Sequence, residues 1–528
     1  MNGQTLVDVA RTQGLADLLR RSAARHPAKI AVIAGDTSLT YTELDRHVSA
    51  AAGALLDRGL VTGDRVAILA RNSWQFVVLA YATARAGLLL VPINFMLTAE
   101  EVAFILDHSG ARGVIADHGL QDTMLEAIKI ADADTAVRGW IGPADSPASE
   151  DWENVERWCT GETRDLQVLV ADDDPIRIMY TSGTESRPKG ALLSSRALIA
   201  EYVTSIVDGG MSEADIDLHT LPFYHCAQLD CFLGPDIYLG ATNVVLPGPD
   251  PAAVLAAIET HKITKYFAPP TVWISLLRHP DFDRRDLSSL TKGYYGASPM
   301  PVEILREIQT RLPKLRLWNF YGQTEMAPVA TILPPDEQVA YAGSAGRAGL
   351  NVETRVVDDD DNPVPAGVVG EVVHRSPQAT LGYYNDPEKT AAAFANGWFH
   401  SGDLGVMSPE GRLTIVDRKK DMIKTGGENV ASREVEEAIY LNPDVAEVAV
   451  FAVPDAKWVE AVTAVVVPKA GTALTEEDLR TDLHERLAPY KVPKRFFIVD
   501  AMPKNPSGKI LKRELRSHYA PATDQGTS

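Results

Sequence analysis

A chain of 528 residues exceeds what one hydrophobic core supports, so two or more domains are expected, and 45% hydrophobic with 23% charged residues is ordinary for a globular protein. The net charge of −20 argues against a nucleic-acid-binding surface and against broad docking on anionic lipid. Cys159, Cys226 and Cys231 are too few and too irregular for a disulfide framework, and the N-terminus has no signal-peptide layout; together these predict a soluble cytoplasmic protein.

Leu15, Leu18, Leu19 and Ala23 recur at helical spacing, and residues 30–33 read as a strand. A helix over 42–58, a strand over 66–69, a helix over 74–86 and a strand over 88–93 follow. Arg85, Gly87 and Pro92 interrupt the apolar run 76–95, which therefore predicts a buried helix and then a strand rather than a membrane span. This alternation predicts a mostly parallel sheet covered by helices on both faces. Residues 133–174 are polar and rich in Pro and Asp, as suits a surface connection. A second α/β succession runs over 197–318, through strands at 242–246 and 265–268. Between 352 and 404 short strands with tight turns take over. Asp358 to Asp361, followed by Asn362-Pro363, reads as a solvated hairpin turn rather than a metal site. Arg418-Lys419-Lys420-Asp421 is a fully charged break and a boundary candidate. Beyond it a helix over 433–440, strands over 446–453, 461–467 and 494–499, and a capping box at Thr475 predict a compact second α/β unit. The predicted fold class is α/β. Residues 1–417 are expected to form a large part of mostly parallel, helix-covered sheets with a short-strand β subdomain, 418–421 a charged boundary, and 422–528 a small α/β domain.

Several stretches carry chemistry. Over 178–195 an apolar strand leads into Thr181, Ser182, Gly183 and Thr184, and Pro188-Lys189-Gly190 leads into a second strand. Three hydroxyls, a flexible glycine and the cations Arg187 and Lys189 on one loop suit a phosphate cradle; a polar hairpin is the alternative. The loop lacks the G-x-x-x-x-G-K-[ST] order of a Walker A motif. Tyr321-Gly322-Gln323-Thr324-Glu325 follows the strand containing Asn319 and Phe320, at the carboxyl end where α/β folds bind ligands. There Tyr321 can stack on a flat purine, Thr324 can bond a phosphate, and Glu325 can hold Mg²⁺ through hard oxygens, though taken alone the run reads more safely as a structural turn. Gly296-Ala297-Ser298-Pro299 is not a hydrolase G-x-S-x-G, because Met300 ends it. His219, His225, Cys226 and Cys231 fit no zinc-ligand spacing, and Phe223 and Phe232 point to an apolar wall.

In order and spacing these motifs resemble the adenylate-forming superfamily of acyl-CoA synthetases, luciferases and peptide-synthetase adenylation domains, most of all bacterial fatty-acid CoA ligases. The resemblance covers essentially the whole chain. It departs at Glu185 and Ser186, where the family usually has Thr and Gly, and a carboxylate there would repel a triphosphate unless it turned to solvent or to Arg187. The resemblance implies that Thr181 to Thr184 and Lys189 hold the phosphates, with Thr184 and Glu325 on the metal. It also implies that Gly296, Ala297, Ser298, Asn319, Phe320, Tyr321, Gly322 and Thr324 line the adenine site, and that Asp403 of Trp398-Phe399-His400-Ser401-Gly402-Asp403 binds the ribose with Arg418. His225, Cys226, Trp273, Gly296 and Gly322 would meet the acid; His225-Cys226 stands where relatives that use amino acids carry an aspartate. Lys420 would be the hinge, and Lys424, Gly426 and Gly427 would serve thioester formation. Lys509, in Asn505-Pro506-Ser507-Gly508-Lys509, would bridge the carboxylate and the α-phosphate. The implied activity is an ATP-dependent acid–CoA ligase using Mg²⁺, ATP and coenzyme A, with a medium- or long-chain fatty acid as the first choice and aryl, cyclic or short branched acids open. An amine or a separate carrier protein as acceptor, or a non-catalytic nucleotide sensor, are the alternatives.

Overall fold

The computed structural model describes residues 7, 10–142, 151–163, 166, 168–181, 188–298, 300–426, 428–455, 457–469, 471–504 and 510–520. Two large sheets build the N-terminal part. In the first, six strands run parallel in the spatial order Arg316–Gly322, Lys292–Gly296, Lys265–Phe267, Ile216–His219, Thr242–Val245 and Ile30–Ala34. Antiparallel strands Val329–Leu333 and Thr37–Thr40 flank them. In the second, Pro175–Thr181, Leu89–Ile93, Arg65–Leu69, Gly113–Asp117 and Val137–Ile141 are parallel. Leu89–Ile93 and Gly113–Asp117 are buried along their whole length, as a strand covered on both faces requires. The helices begin where their sequences supply caps: Thr40 with Glu43 opens Tyr41–Asp57, and Thr98 with Glu101 opens Ala99–Ser109.

The apolar run 76–95 is the buried helix Trp74–Arg85 followed by the strand Leu89–Ile93, and no described helix is long and apolar enough to cross a membrane. Glu353–Val357, Val369–Arg375, Phe399–Met407 and Leu413–Arg418 form an antiparallel four-stranded sheet. The Asp358 carboxylate accepts from the backbone N–H of Asp360 and Asn362, closing the expected turn. After Arg418 the chain enters a smaller α/β part. Its long hairpin Val445–Asp455 and Val459–Pro468 is joined by Ile423–Thr425 and Arg495–Ile498, and the Thr475–Asp478 capping box starts Glu476–Arg486.

The centre of the first sheet holds a buried charge cluster that the sequence did not announce. Lys265, on the strand Lys265–Phe267, pairs with Asp217 of the neighbouring strand at 3.3 Å and with Asp236 of the helix Gly234–Leu239, all three fully buried. Burial opposes the charge on Lys265, and the two carboxylates overcome it and hold the ammonium protonated. Asp217, Asp236 and His219 bring ligand-type atoms within 4.8 Å of one another, and the lysine supplies the cation that such a group needs. His219 is kept neutral by burial, its pKa lowered to about 4. Its Nδ1 lies 2.7 Å from Gln228 and its Nε2 2.8 Å from Asn243. Lys265→Met should leave two buried carboxylates without their cation and cost about 3–5 kcal/mol. Urea denaturation would read this as a lower midpoint; an unchanged midpoint would mean that the ammonium does not fasten the sheet to the helix.

Candidate functional site

Three groups of side chains converge on the turn that follows Arg316–Gly322. The first is a relay of hydroxyl, carboxylate and guanidinium. Tyr321 donates its hydroxyl to the Asp403 carboxylate at 2.7 Å, and Arg418 lies 3.2 Å from the other carboxylate oxygen. Asp403 and Arg418 face each other across adjacent antiparallel strands, so the sheet register itself sets this pair. Burial, and then the Asp403 charge, push the Tyr321 phenol well up, so it remains a donor.

The second group joins the phosphate-loop hairpin to Glu325. Thr181 ends one strand of that hairpin and Lys189 begins the other, and the two are paired. Tyr383 lies on Gly382–Tyr383, which extends the same sheet by pairing with Leu192 and Ala191. The Lys189 ammonium sits 5.0 Å from the centre of the Tyr383 ring, and the Tyr383 hydroxyl donates to Glu325 at 2.8 Å. Thr380 donates its backbone N–H to the Glu325 carbonyl and its hydroxyl to the Leu192 carbonyl, so one segment grips both the hairpin and the turn. The second Glu325 carboxylate oxygen makes no hydrogen bond among the described residues. A single carboxylate of this kind can give a hard divalent cation one oxygen ligand, the others coming from a bound anion and water.

The third group is the Leu221–Gln228 segment. His225 caps a short helix, its Nδ1 accepting from the Ala227 N–H at 3.1 Å. Cys226 is buried, its sulfur 3.3 Å from the Thr324 hydroxyl, and burial pushes its thiol up to about 12, so it stays protonated. Asn72, at the end of the second sheet, donates to the Leu221 carbonyl and accepts from the Phe223 N–H, pinning this segment across the two sheets.

Glycines make the close approaches possible. A Cβ on Gly296 would lie 2.5 Å from the Phe320 carbonyl oxygen, and one on Gly322 would lie 1.9 Å from that of Pro328. Ala297 and Ala327 both hold φ of +64°, a strained value for a residue with a Cβ, at the two strand ends that border the site. Ala297 and Ser298 are exposed there.

Other expected residues are distributed more widely. Asn319 is buried and donates to the Ser344 carbonyl, and Phe320 packs between Phe232 and Tyr294; both are paired with strands on either side. Trp273 is buried against Tyr266 and donates its indole N–H to the Tyr294 carbonyl, in a packing cluster separate from that of Cys226. His219 lies in the charge cluster below the site, and Cys231 joins the aromatic core around Phe232. Lys424 is exposed on Ile423–Thr425, Gly426 turns with φ of +61° against Trp458, and Lys420 is exposed. Ser182, Gly183, Thr184, Glu185, Ser186, Arg187, Pro299, Gly427 and Lys509 lie outside the described residues. Tyr383, Thr380 and Asn72 were missed: a tyrosine in Gly-Tyr-Tyr carries no chemical signature until strand pairing sets it beside Glu325.

The AMP-binding enzyme family model matches residues 19–384, and the model for the AMP-binding enzyme C-terminal domain matches residues 434–509. Feruloyl-CoA synthase of Amycolatopsis sp is 36% identical over 511 residues, 96% of this chain and 100% of that protein. Indoleacetate–CoA ligase of Aromatoleum aromaticum is 35% identical over 96% of this chain and 99% of its own length. The long-chain-fatty-acid–CoA ligase FadD13 of Mycobacterium tuberculosis is 35% identical over 95% and 98%. Among solved structures, ATP-bound MatB from Rhodopseudomonas palustris superposes with a TM-score of 0.87 at 30% identity, covering 96% of this chain and 99% of that one. The amide bond synthetase McbA from Marinactinospora thermotolerans gives 0.86 at 28%, covering 96% of this chain and 100% of that one.

Gly322→Ala would drive a methyl group into the Pro328 carbonyl. A loss of about 1–3 kcal/mol in chemical denaturation is expected; wild-type stability in that variant would show that the turn has slack.

Proposed function

The chain belongs to the AMP-binding enzyme family, and from that premise we propose that it is an ATP-dependent carboxylic acid–CoA ligase. The observation that carries the reading is the convergence on one turn of Tyr321–Asp403–Arg418, Lys189–Tyr383–Glu325 and Cys226–Thr324. The substrate carboxylate attacks the α-phosphorus of ATP, forming the acyl-adenylate as pyrophosphate leaves. The CoA thiol, losing its proton, then attacks the acyl carbon, and AMP leaves. Both steps are acyl or phosphoryl transfers that need positioning and charge stabilisation.

In this scheme the Tyr321 face meets the adenine, and the Asp403 carboxylate, already an acceptor, takes hydrogen bonds from the ribose with Arg418 beside it. Lys189 and the loop 181–184 hold the phosphates. Magnesium, when bound at Glu325 and Thr184, would supply neutralising charge for the departing pyrophosphate. Lys509 bridges the carboxylate and the α-phosphate. The large part then ends at 417, Arg418 to Asp421 serve as the hinge, and turning of residues 422–528 brings Lys424, Gly426 and Gly427 to the acyl group. The change of sheet between Leu413–Arg418 and Ile423–Thr425 supports that boundary.

The acid is apolar in this reading, which the aromatic pair of Tyr224 and Phe95 beside His225 supports. A medium- or long-chain fatty acid is supported by the likeness to FadD13, and an aryl acid by the likeness to feruloyl-CoA synthase and indoleacetate–CoA ligase. An amine acceptor is the second reading, favoured by the likeness to an amide bond synthetase.

Acid-dependent pyrophosphate release, measured over a panel of alkanoic, cinnamic and arylacetic acids, should pick out one class. Added CoA should convert the adenylate to a thioester. An adenylate that ignores CoA but yields amide with an added amine would move the acceptor to the amine. Lys509→Ala should lower ATP–pyrophosphate exchange by roughly 10²–10³-fold, the scale for losing a group that stabilises developing charge; intact exchange would remove that lysine from the chemistry.

A further inference from the structure

We propose that Tyr383 is a positioning residue, which fixes the Glu325 carboxylate beside the Lys189 end of the phosphate loop; this rests on the ligase reading above. Nothing in the sequence motifs assigns a role to this tyrosine, yet it is the described side chain that touches both groups. Its hydroxyl lies 2.8 Å from Glu325 Oε1, and its ring centre lies 5.0 Å from the Lys189 ammonium. An ionised carboxylate only accepts, so the phenol is the donor.

The ring does not depend on Glu325 for its own position. Tyr383 pairs with Ala191, two residues beyond Lys189, and its backbone N–H donates to the Thr390 hydroxyl at 2.9 Å. Gly382, at φ of +126°, leaves no room for a side chain, since a Cβ would come within 2.7 Å of Thr390. The scaffold therefore delivers the hydroxyl, and the hydroxyl delivers the carboxylate. A free glutamate rotates about three torsions; with one oxygen held by Tyr383, less ordering is left for the moment a metal–triphosphate arrives. The aromatic face also gives Lys189 a weak resting place, which charge-assisted bonds to phosphate oxygens can outcompete.

The test is isothermal titration calorimetry of the full chain with ATP in the absence of acid, with and without magnesium, on wild type and Tyr383→Phe. Magnesium should strengthen ATP binding in the wild type, and in Tyr383→Phe that increment should shrink about 3–10-fold, the worth of one hydrogen bond. AMP binding and metal-free ATP binding should stay within about twofold, because they do not use the Glu325 carboxylate. In a Glu325→Gln background, Tyr383→Phe should change nothing further. An unchanged magnesium increment would overturn the proposal. So would an equal loss for AMP and ATP, which is what a merely structural role predicts, or full additivity with Glu325→Gln. A wild-type chain that binds no ATP would overturn the ligase reading itself and take this inference with it.

Discussion

The buried Lys265 ammonium is the constraint on which the rest of the site depends. It ties two strands of the first sheet to the helix Gly234–Leu239, and that helix continues the segment that begins at His225. The π-helical stretch Leu229–Leu233 between them is held in turn by the buried Arg177–Asp230 pair, whose arginine lies four residues before Thr181. Breaking either pair would leave a charge stranded in low dielectric, so both fix geometry more than they add stability. A neutral relay completes the arrangement. The Leu221 N–H donates to Gln228, Gln228 donates to His219, and His219 donates to Asn243. Burial keeps His219 neutral, as the relay requires of a ring that accepts at one nitrogen and donates at the other. The wall carrying His225 and Cys226 is thus built from the sheet outward.

That rigidity accounts for the crowding at the turn Thr324–Met326. Parallel strands direct their carboxyl ends to one side, and the first sheet ends there in Gly296, with Ala297 at positive φ, and in Gly322. One helix and two strands then close on the same place: Cys226 on Thr324, Tyr383 on Glu325, Asp403 on Tyr321. Each contact links a different sheet or helix to five consecutive residues, so the turn is over-determined and can hold strained backbone at Ala297 and Ala327. The overall charge of −20 has no bearing at this scale, because Lys189 and Arg418 set the local field where an anion would sit.

Much of this was legible in the sequence, and what was not has a common cause. The helix Trp74–Arg85 and the hairpin Val445–Asp455 with Val459–Pro468 follow from periodicity and length, and Tyr321, Asp403 and Arg418 from their motifs. Periodicity reports which face of an element is buried, not which element covers it. Asn72 and Thr380 are ordinary polar residues until the fold sets them against Leu221 and Leu192. Lys265 reads as a strand-end lysine that ought to be solvated, and only two aspartates distant in sequence make its burial tolerable. Trp273, which the resemblance sets near the acid, has its indole N–H and ring satisfied inside the core, a packing that the sequence does not show.

The junction between the two parts has a different physics from either interior. The apolar clusters of the smaller part begin at Ile423, and none of them includes a residue from the four-stranded sheet. What crosses the junction is polar. Asp417 accepts from the Ser432 N–H, both residues being buried, Arg433 donates to the Ile415 and Gly343 carbonyls, and Arg516 pairs with Asp421 at the end of the charged run. Hydrogen bonds of this kind can be exchanged for bonds to water, whereas separating an apolar interface would expose area at about 25 cal/mol per Å². In the proposed two-step reaction, 418–421 would serve as the hinge across this polar junction, since one acyl group must meet first a phosphate and then a thiol. In that proposal the turn at Thr324–Met326, gripped from three sides, would keep the adenylate where it was made, while the polar junction after Arg418 would let its surroundings change.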